Sequence, residues 1–128
     1  MPYLDRNGVV IYYEDHGRGP AILLCHGYSA TSRMWAGEIA ALAPRYRVVV
    51  SDMRGHDESD HPNDPAAYCE ALTVEDMAAR LRKGGIDRAV IGGLSLGGYM
   101  SLTFRLAHPG DGQSPDAVRH RARLWPYY

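Results

Sequence analysis

The feature that most restricts how this chain can fold is the decapeptide IGGLSLGGYM, Ile91 to Met100. The apolar run RAVI leads into Gly92 and Gly93, a lone serine follows, and Gly97 and Gly98 open a stretch that can be helical. Gly93-Leu94-Ser95-Leu96-Gly97 fits G-x-S-x-G, a pattern with a mechanical purpose where a strand must turn sharply into a helix. Side chains at positions 93 and 97 would collide with the neighbouring strand and helix. Glycine removes that collision and lets Ser95 project its hydroxyl above the sheet. A helix beginning directly after the serine also favours negative charge at its N-terminus. A phosphate-cradling loop is the rival reading, but no Lys-Ser/Thr follows Gly98 and no G-x-G-x-x-G register is present. Taken alone, the pentapeptide suits a plain turn serine as well as a nucleophile.

The rest of the chain supplies the setting. Tyr3 to Asp5 and Val9 to Glu14 flank RNG, which predicts an opening β-hairpin. AILLC, Ala21 to Cys25, is a short continuous apolar run suited to a strand buried on both faces. Thr31 or Ser32 can cap a helix through RMWAGEIAALA, with Met34, Trp35, Ile39 and Leu42 on one face. YRVVVSD gives a second buried strand ending at Asp52. Between Asp52 and Ala71 the composition shifts to Asp, Glu, His, Pro and Asn, predicting a long surface excursion. Thr73 followed by Asp76 predicts a capped helix start, and Gly84 and Gly85 its end. DRAVIGG is the next strand and SLGGYMSLTFRLAHP a helix stopping ahead of Pro109. Strands and helices alternating over short connections predict an α/β fold of parallel β-α-β units with right-handed crossovers.

Composition narrows the class. Hydrophobic residues make up 45% of the 128 and charged residues 23%, enough for one packed domain and against wholesale disorder. A net charge of −1 argues against nucleic acid as a partner. No run of 18 apolar residues and no basic-then-apolar leader is present, so a soluble cytoplasmic protein with no membrane partner is expected. Cys25 and Cys69 are too few and too casually spaced for a disulfide framework or a metal site, and both are expected to be reduced and non-catalytic. No metal and no cofactor is expected.

Two further segments join the serine motif. His26-Gly27-Tyr28 follows AILLC directly, with Trp35 a few residues on, and SDMRGHDESD, Ser51 to Asp60, follows the next strand. In that order and spacing, over about Tyr3 to Pro109, the three segments resemble the α/β-hydrolase superfamily, in its group of small-molecule serine esterases and enol-lactonases. The resemblance implies the N-terminal part of that fold, and hydrolysis of a small carboxylic ester, lactone or thioester. It makes Ser95 the nucleophile, with the backbone N–H groups of Tyr28 and Leu96 as the oxyanion hole. Serine at this position sets the chain apart from the aspartate-dependent epoxide hydrolases and haloalkane dehalogenases of the same fold. His26 and Gly27 then shape the turn, Gly93 and Gly97 the elbow, and Asp52, Arg54, His56 and Ser59 brace the loop after the fourth strand. Asp57 stands where the family pattern prefers glycine, a position that asks for tolerance of positive φ.

The triad of such an enzyme runs Ser, then Asp or Glu, then His. After Ser95 the only carboxylates are Asp111 and Asp116 and the only histidines His108 and His120. His108 closes the helix that starts at Ser95, roughly 20 Å along its axis, out of reach of the hydroxyl. Residues 110–128 are polar and basic, without helical or alternating period, and are expected to form an atypical tail beyond a partial hydrolase domain at 1–109. Truncation after the nucleophile helix would leave RAVIGG as a bare sheet edge, open to self-association. A one-nucleotide frameshift near Pro109 accounts for the tail, because codons able to encode Gly110 to Pro126 can spell an apolar strand and a turn in the next frame. A non-catalytic binding module, or an inactive gene fragment, is the alternative.

Overall fold

Short, β-branched runs separated by glycine turns dictate a sheet, and the computed structural model, which describes residues 2–108 and 119–124, contains one of six strands. In chain order these are β1 (Tyr3–Arg6), β2 (Val9–His16), β3 (Ala21–Cys25), β4 (Arg47–Ser51), β5 (Arg88–Gly93) and β6 (Arg119–Leu124). Three helices accompany them: α1 (Ala36–Leu42), α2 (Glu70–Lys83) and α3 (Leu96–Ala107). Across the sheet the order is β1-β2-β4-β3-β5-β6. β1 and β2 form the expected hairpin, turned at Asn7 and Gly8, both at positive φ. β2 runs antiparallel to β4, whereas β4, β3, β5 and β6 are parallel to their neighbours.

Alternation along the parallel strands sends side chains to two separate layers. Leu23, Cys25, Val49, Ala89 and Ile91 meet Val74, Met77 and Leu81 of α2 and Met100 and Phe104 of α3 on one face. Val48 and Val50 meet Trp35 on the other, with Leu24, Met34, Ile39 and Leu42 packed around them, so the predicted apolar face of α1 and its preceding turn is the one buried. That helix starts as a 3₁₀ turn, Ser32–Trp35, capped by Thr31, whose side chain accepts from the Arg33 N–H. Gly84 and Gly85 end α2 as expected. Gly85 is at φ +66°, and the N–H groups of Gly85 and Ile86 reach back to the carbonyls of Arg82 and Leu81.

Two expectations are corrected. Thr73 does not cap α2, which begins at Glu70 after Cys69, with no side-chain cap. Glu70, Ala71 and Leu72 are good helix formers and carry the helix one turn further upstream, while Asp76 turns its carboxylate away from the helix start to meet Arg54. The second correction concerns the sheet edge. β5 is not bare: residues 119–124 pair with it in parallel along its whole length, from Arg88↔Arg119 to Gly93↔Leu124. A ladder is satisfied by backbone groups, so a charged segment free of proline can supply the strand, and charge is well tolerated at an edge. Among the described residues no helix is long and apolar enough to cross a membrane.

Candidate active site

Strand register decides which loops meet. Cys25 is level with Gly93 on one side and with Ser51 on the other. The segments that leave these three strand ends, His26-Gly27-Tyr28, Asp52-Met53-Arg54 and Leu94-Ser95-Leu96, therefore emerge together at one edge of the sheet. Ligand sites of open parallel sheets lie outside this carboxyl edge. The contact is close: a Cβ on Gly27 would lie 3.9 Å from the Cβ of Ser95.

Ser95 sits at φ 54°, ψ −114°, a backbone conformation that L residues rarely adopt. Its flanking glycines permit that turn. A Cβ on Gly97 would stand 2.0 Å from the carbonyl oxygen of Cys25, and one on Gly93 2.4 Å from the carbonyl carbon of Gly97. Ser95 is exposed at the tip. The N–H groups of Leu94 and Gly97 are occupied, on the carbonyls of Cys25 and Leu94. Leu96 begins α3, so its own N–H is one of the helix's free donors.

The turn after β3 is held by its histidine. His26 is fully buried; its Nδ1–H donates to the carbonyl of Gly27 at 2.7 Å, and its Nε2 accepts from the Met53 N–H at 2.9 Å. A ring that donates from one nitrogen and accepts at the other is neutral. Burial, with His56 alongside, holds its pKa below the ordinary histidine value, against the opposing effect of the Gly27 carbonyl. The His56 ring stands 4.8 Å from that of His26 and 6.2 Å from that of Tyr28, which itself is 77% exposed at the mouth of the site.

The loop after β4 is bound from below. Asp52, fully buried, accepts from the N–H of Ser32 at 2.7 Å and of Glu58 at 3.2 Å. The Ser59 hydroxyl donates to the Asp52 carbonyl at 2.5 Å and accepts from the Tyr12 N–H at 2.9 Å, taking up a strand bond where β4 has ended. Asp57 adopts φ +38°, as the missing glycine requires. Arg54 is buried and forked onto Asp76 of α2, Nε to Oδ2 at 2.8 Å and Nη2 to Oδ1 at 2.9 Å. Arg6 of β1 adds a third bond to the same carboxylate at 3.2 Å.

Sequence reading missed Asp76 as part of this frame. The available signal was a carboxylate set among Val74, Met77 and Ala78 on the buried side of α2, where a charge needs a partner. His108 lies at the far end of α3, stacked on Phe104 at 4.7 Å and 3.6 Å from Glu75, away from Ser95. Asp111 and Asp116 fall outside the described residues, as does the expected frameshift point, and only the backbone of His120 is placed, in β6. Cys25 is buried, which pushes its thiol up to about 11, and neither it nor exposed Cys69 is in a disulfide.

This geometry agrees with comparisons to known proteins. The family model for the alpha/beta hydrolase fold matches residues 20–120. Bifunctional epoxide hydrolase 2 of Rattus norvegicus is 36% identical over 103 residues, which are 80% of this chain and 19% of that protein. RutD of Azorhizobium caulinodans, named for carbamate hydrolysis, is 33% identical over 123 residues, 96% of this chain and 46% of its own. The solved structure of Est816, described as an N-acyl homoserine lactone degrading enzyme, superposes with a TM-score of 0.84 at 31% identity, covering 96% of this chain and 44% of that one. The chain thus spans less than half the length of each of these relatives. It belongs to the α/β-hydrolase family, as an N-terminal part of that fold.

Proposed function

We propose that this chain is the nucleophile-bearing half of a serine hydrolase acting on small carboxylic esters, lactones or thioesters through an acyl-enzyme on Ser95. The observation that carries the reading is the backbone of Ser95, held at φ 54° between two glycines whose Cβ positions are filled by other backbone atoms. Strain of this kind, about 1–3 kcal/mol, persists where its surroundings enforce it and clusters at functional sites. The hydrolase names of the relatives support the class of reaction. Those named for epoxides are set aside because the nucleophile here is a hydroxyl: a carboxylate at this position belongs to the epoxide branch that the sequence already departs from.

In the proposed reaction, the Oγ of Ser95 attacks the acyl carbon while its proton passes to a base. The carbonyl oxygen gains negative charge between the N–H groups of Leu96 and Tyr28. The carbon–oxygen or carbon–sulfur bond to the leaving group then breaks, and water later releases the acid and restores the serine. His26 does not take the proton, because both its nitrogens are committed to backbone groups; it fixes the turn that carries Tyr28. Among the described residues no histidine bonds to Ser95. Loss of the base in a serine enzyme costs on the order of 10⁶ in turnover, so acylation rather than turnover is the quantity to measure. After incubation with p-nitrophenyl acetate, peptide mass mapping is expected to show slow acetylation at Ser95, absent from Ser95→Ala and from heat-denatured chain. Acetyl groups on Lys83 or the N-terminal amine with none on Ser95 would leave a non-catalytic binding module as the better reading.

A further inference from the structure

The two ends of the parallel strands carry opposite charge. Ala21 is level with Arg47 on one side and with Ala89 on the other, so the segments entering β3, β4 and β5 gather at the amino edge of the sheet, opposite Ser95. Close backbone contacts fix them there. A Cβ on Gly17 would stand 2.3 Å from the carbonyl oxygen of Tyr46, and one on Gly19 2.4 Å from that of Arg45, which sets Arg18 beside Arg45. From the other face of the sheet, Nη1 of Arg47 donates to the carbonyl of Gly84 at 2.9 Å, drawing the end of α2, with Arg82 and Lys83, to the same edge. Arg18, Arg45, Arg82, Lys83 and Arg88 are all exposed. Arg47 is already forked onto Asp15, by Nε at 2.9 Å and Nη2 at 2.6 Å, which leaves Asp87 as the exposed carboxylate among the described residues of this edge. The carboxyl edge is the reverse. Asp57, Glu58, Asp60, Asp64 and Glu70 are exposed there, with Arg33 against Asp57 at 3.5 Å and Glu58 at 3.7 Å. The net charge of −1 is thus a sum over two opposed ends.

We infer that the amino edge docks on an anionic lipid surface, with the carboxyl edge and Ser95 turned to solvent. The shape of the patch selects the partner. Its cations extend along the sheet across β4, β3 and β5, about 10 Å at ordinary strand spacing, and also out of the sheet on both faces, to Arg45 after α1 and to Arg82 and Lys83 of α2. A single nucleic-acid strand follows a groove of cations and stacking rings, whereas cations spread in two directions suit a plane. The acidic carboxyl edge adds orientation, because a negative leaflet repels it while attracting the opposite end. The expectation of no membrane partner followed from the lack of an apolar span and of a leader, and neither bears on attachment by charge. Each arginine or lysine near such a leaflet contributes about fivefold to partition, so the attachment is reversible and weakened by salt. It is independent of the chemistry at Ser95.

The test is sedimentation of the full chain with vesicles of phosphatidylcholine and phosphatidylserine, at low salt and again at about 1 M, where the Debye length falls to about 3 Å. Binding is expected at low salt, with loss at high salt and none to phosphatidylcholine alone. Arg18→Gln, Arg45→Gln, Arg82→Gln and Arg88→Gln should each weaken partition about fivefold, and a variant carrying all four should abolish it. Arg33→Gln, at the opposite edge, should not weaken it. These side chains are exposed, so circular dichroism of every variant should match that of the parent. No binding, equal binding to phosphatidylcholine alone, or binding as sensitive to Arg33 as to Arg88 overturns the inference. So does an oligonucleotide, single-stranded or duplex, that binds through the same arginines more tightly than the vesicles do, since the partner is then a nucleic acid.

Discussion

The elbow around Ser95 and the loop after β4 lie side by side at the sheet edge, yet they are built on opposite principles. The elbow is shaped by what is missing. Gly93 and Gly97 hold no side chains because backbone atoms of β3 and α3 already occupy the space, and the serine between them takes an unfavourable φ. The loop is shaped by what is added: Asp52, Ser59 and Arg54 are all buried, and each is satisfied by partners distant in sequence. Steric construction makes a site rigid but intolerant. Construction by buried polar groups makes it dependent on every partner staying in place.

Substitutions can break the two constructions separately. The largest effect is expected at Gly97→Ala, where the new Cβ would meet the Cys25 carbonyl oxygen at 2.0 Å and the His26 carbonyl oxygen at 2.6 Å. No flexible side chain is there to yield, and a destabilisation of about 4 kcal/mol or more is expected, at the upper end for single substitutions. Urea unfolding would show it, or a failure to accumulate folded protein. A variant with parental stability would mean that β3 and α3 are further apart than described. Asp76→Ala attacks the loop instead. It leaves the buried Arg54 without a counter-charge, held only by the Ala67 carbonyl to which its Nη1 donates at 2.8 Å, and removes the bond from Arg6; roughly 3–5 kcal/mol is the usual cost of removing one partner of a buried pair. Asp76→Ala combined with Arg54→Met should recover part of that loss, because the stranded charge is gone. If the double variant is no more stable than the single one, the ion pair is not what anchors the loop.

The same contrast explains which parts of the molecule were legible in its sequence. The elbow could be read directly, because a steric requirement is written locally: two glycines at fixed spacing around a serine, after β-branched residues and before helix formers. The hairpin at Asn7-Gly8 and the C-cap at Gly84-Gly85 were legible for the same reason. The loop's partners were not, since Arg54 and Asp76 stand 22 positions apart and nothing near either names the other. Thr73 was misread as a cap because a local motif, Thr followed three residues later by Asp, outweighed the helix-forming residues before it. β6 was missed because its six residues, RHRARL, lack the apolar signature of an interior strand, while the ladder they complete needs only backbone. His26 shows the intermediate case. Its position after the strand marked it as part of the turn, but its commitment to Gly27 on one side and Met53 on the other required the fold.

A third substitution tests the elbow with the opposite sign. Ser95→Gly removes the side chain from a backbone conformation that glycine adopts freely, and should raise stability by about 1 kcal/mol while abolishing any acylation. A melting temperature unchanged or lowered would show that the φ of 54° costs the chain little.

The smallest effect expected belongs to the junction between the two constructions, and it depends on pH. His26 is neutral in the fold, its pKa depressed first by burial. An unfolded chain regains the ordinary histidine value near 6.5, so between the two values the unfolded state binds the additional proton. Stability from this residue is therefore complete above about pH 6.5 and declines as pH falls through the folded value. Protonation would also put a second N–H against the Met53 amide, loosening the turn that presents the Tyr28 N–H. The chain has six histidines, so the contribution of one must be taken as a difference. Melting temperatures of the parent and of His26→Gln, followed from pH 7.5 to 5.5, should converge as the pH drops, because only the parent has this site to titrate. Parallel curves would place the proton sensitivity elsewhere and leave His26 a purely steric wedge between the two loops.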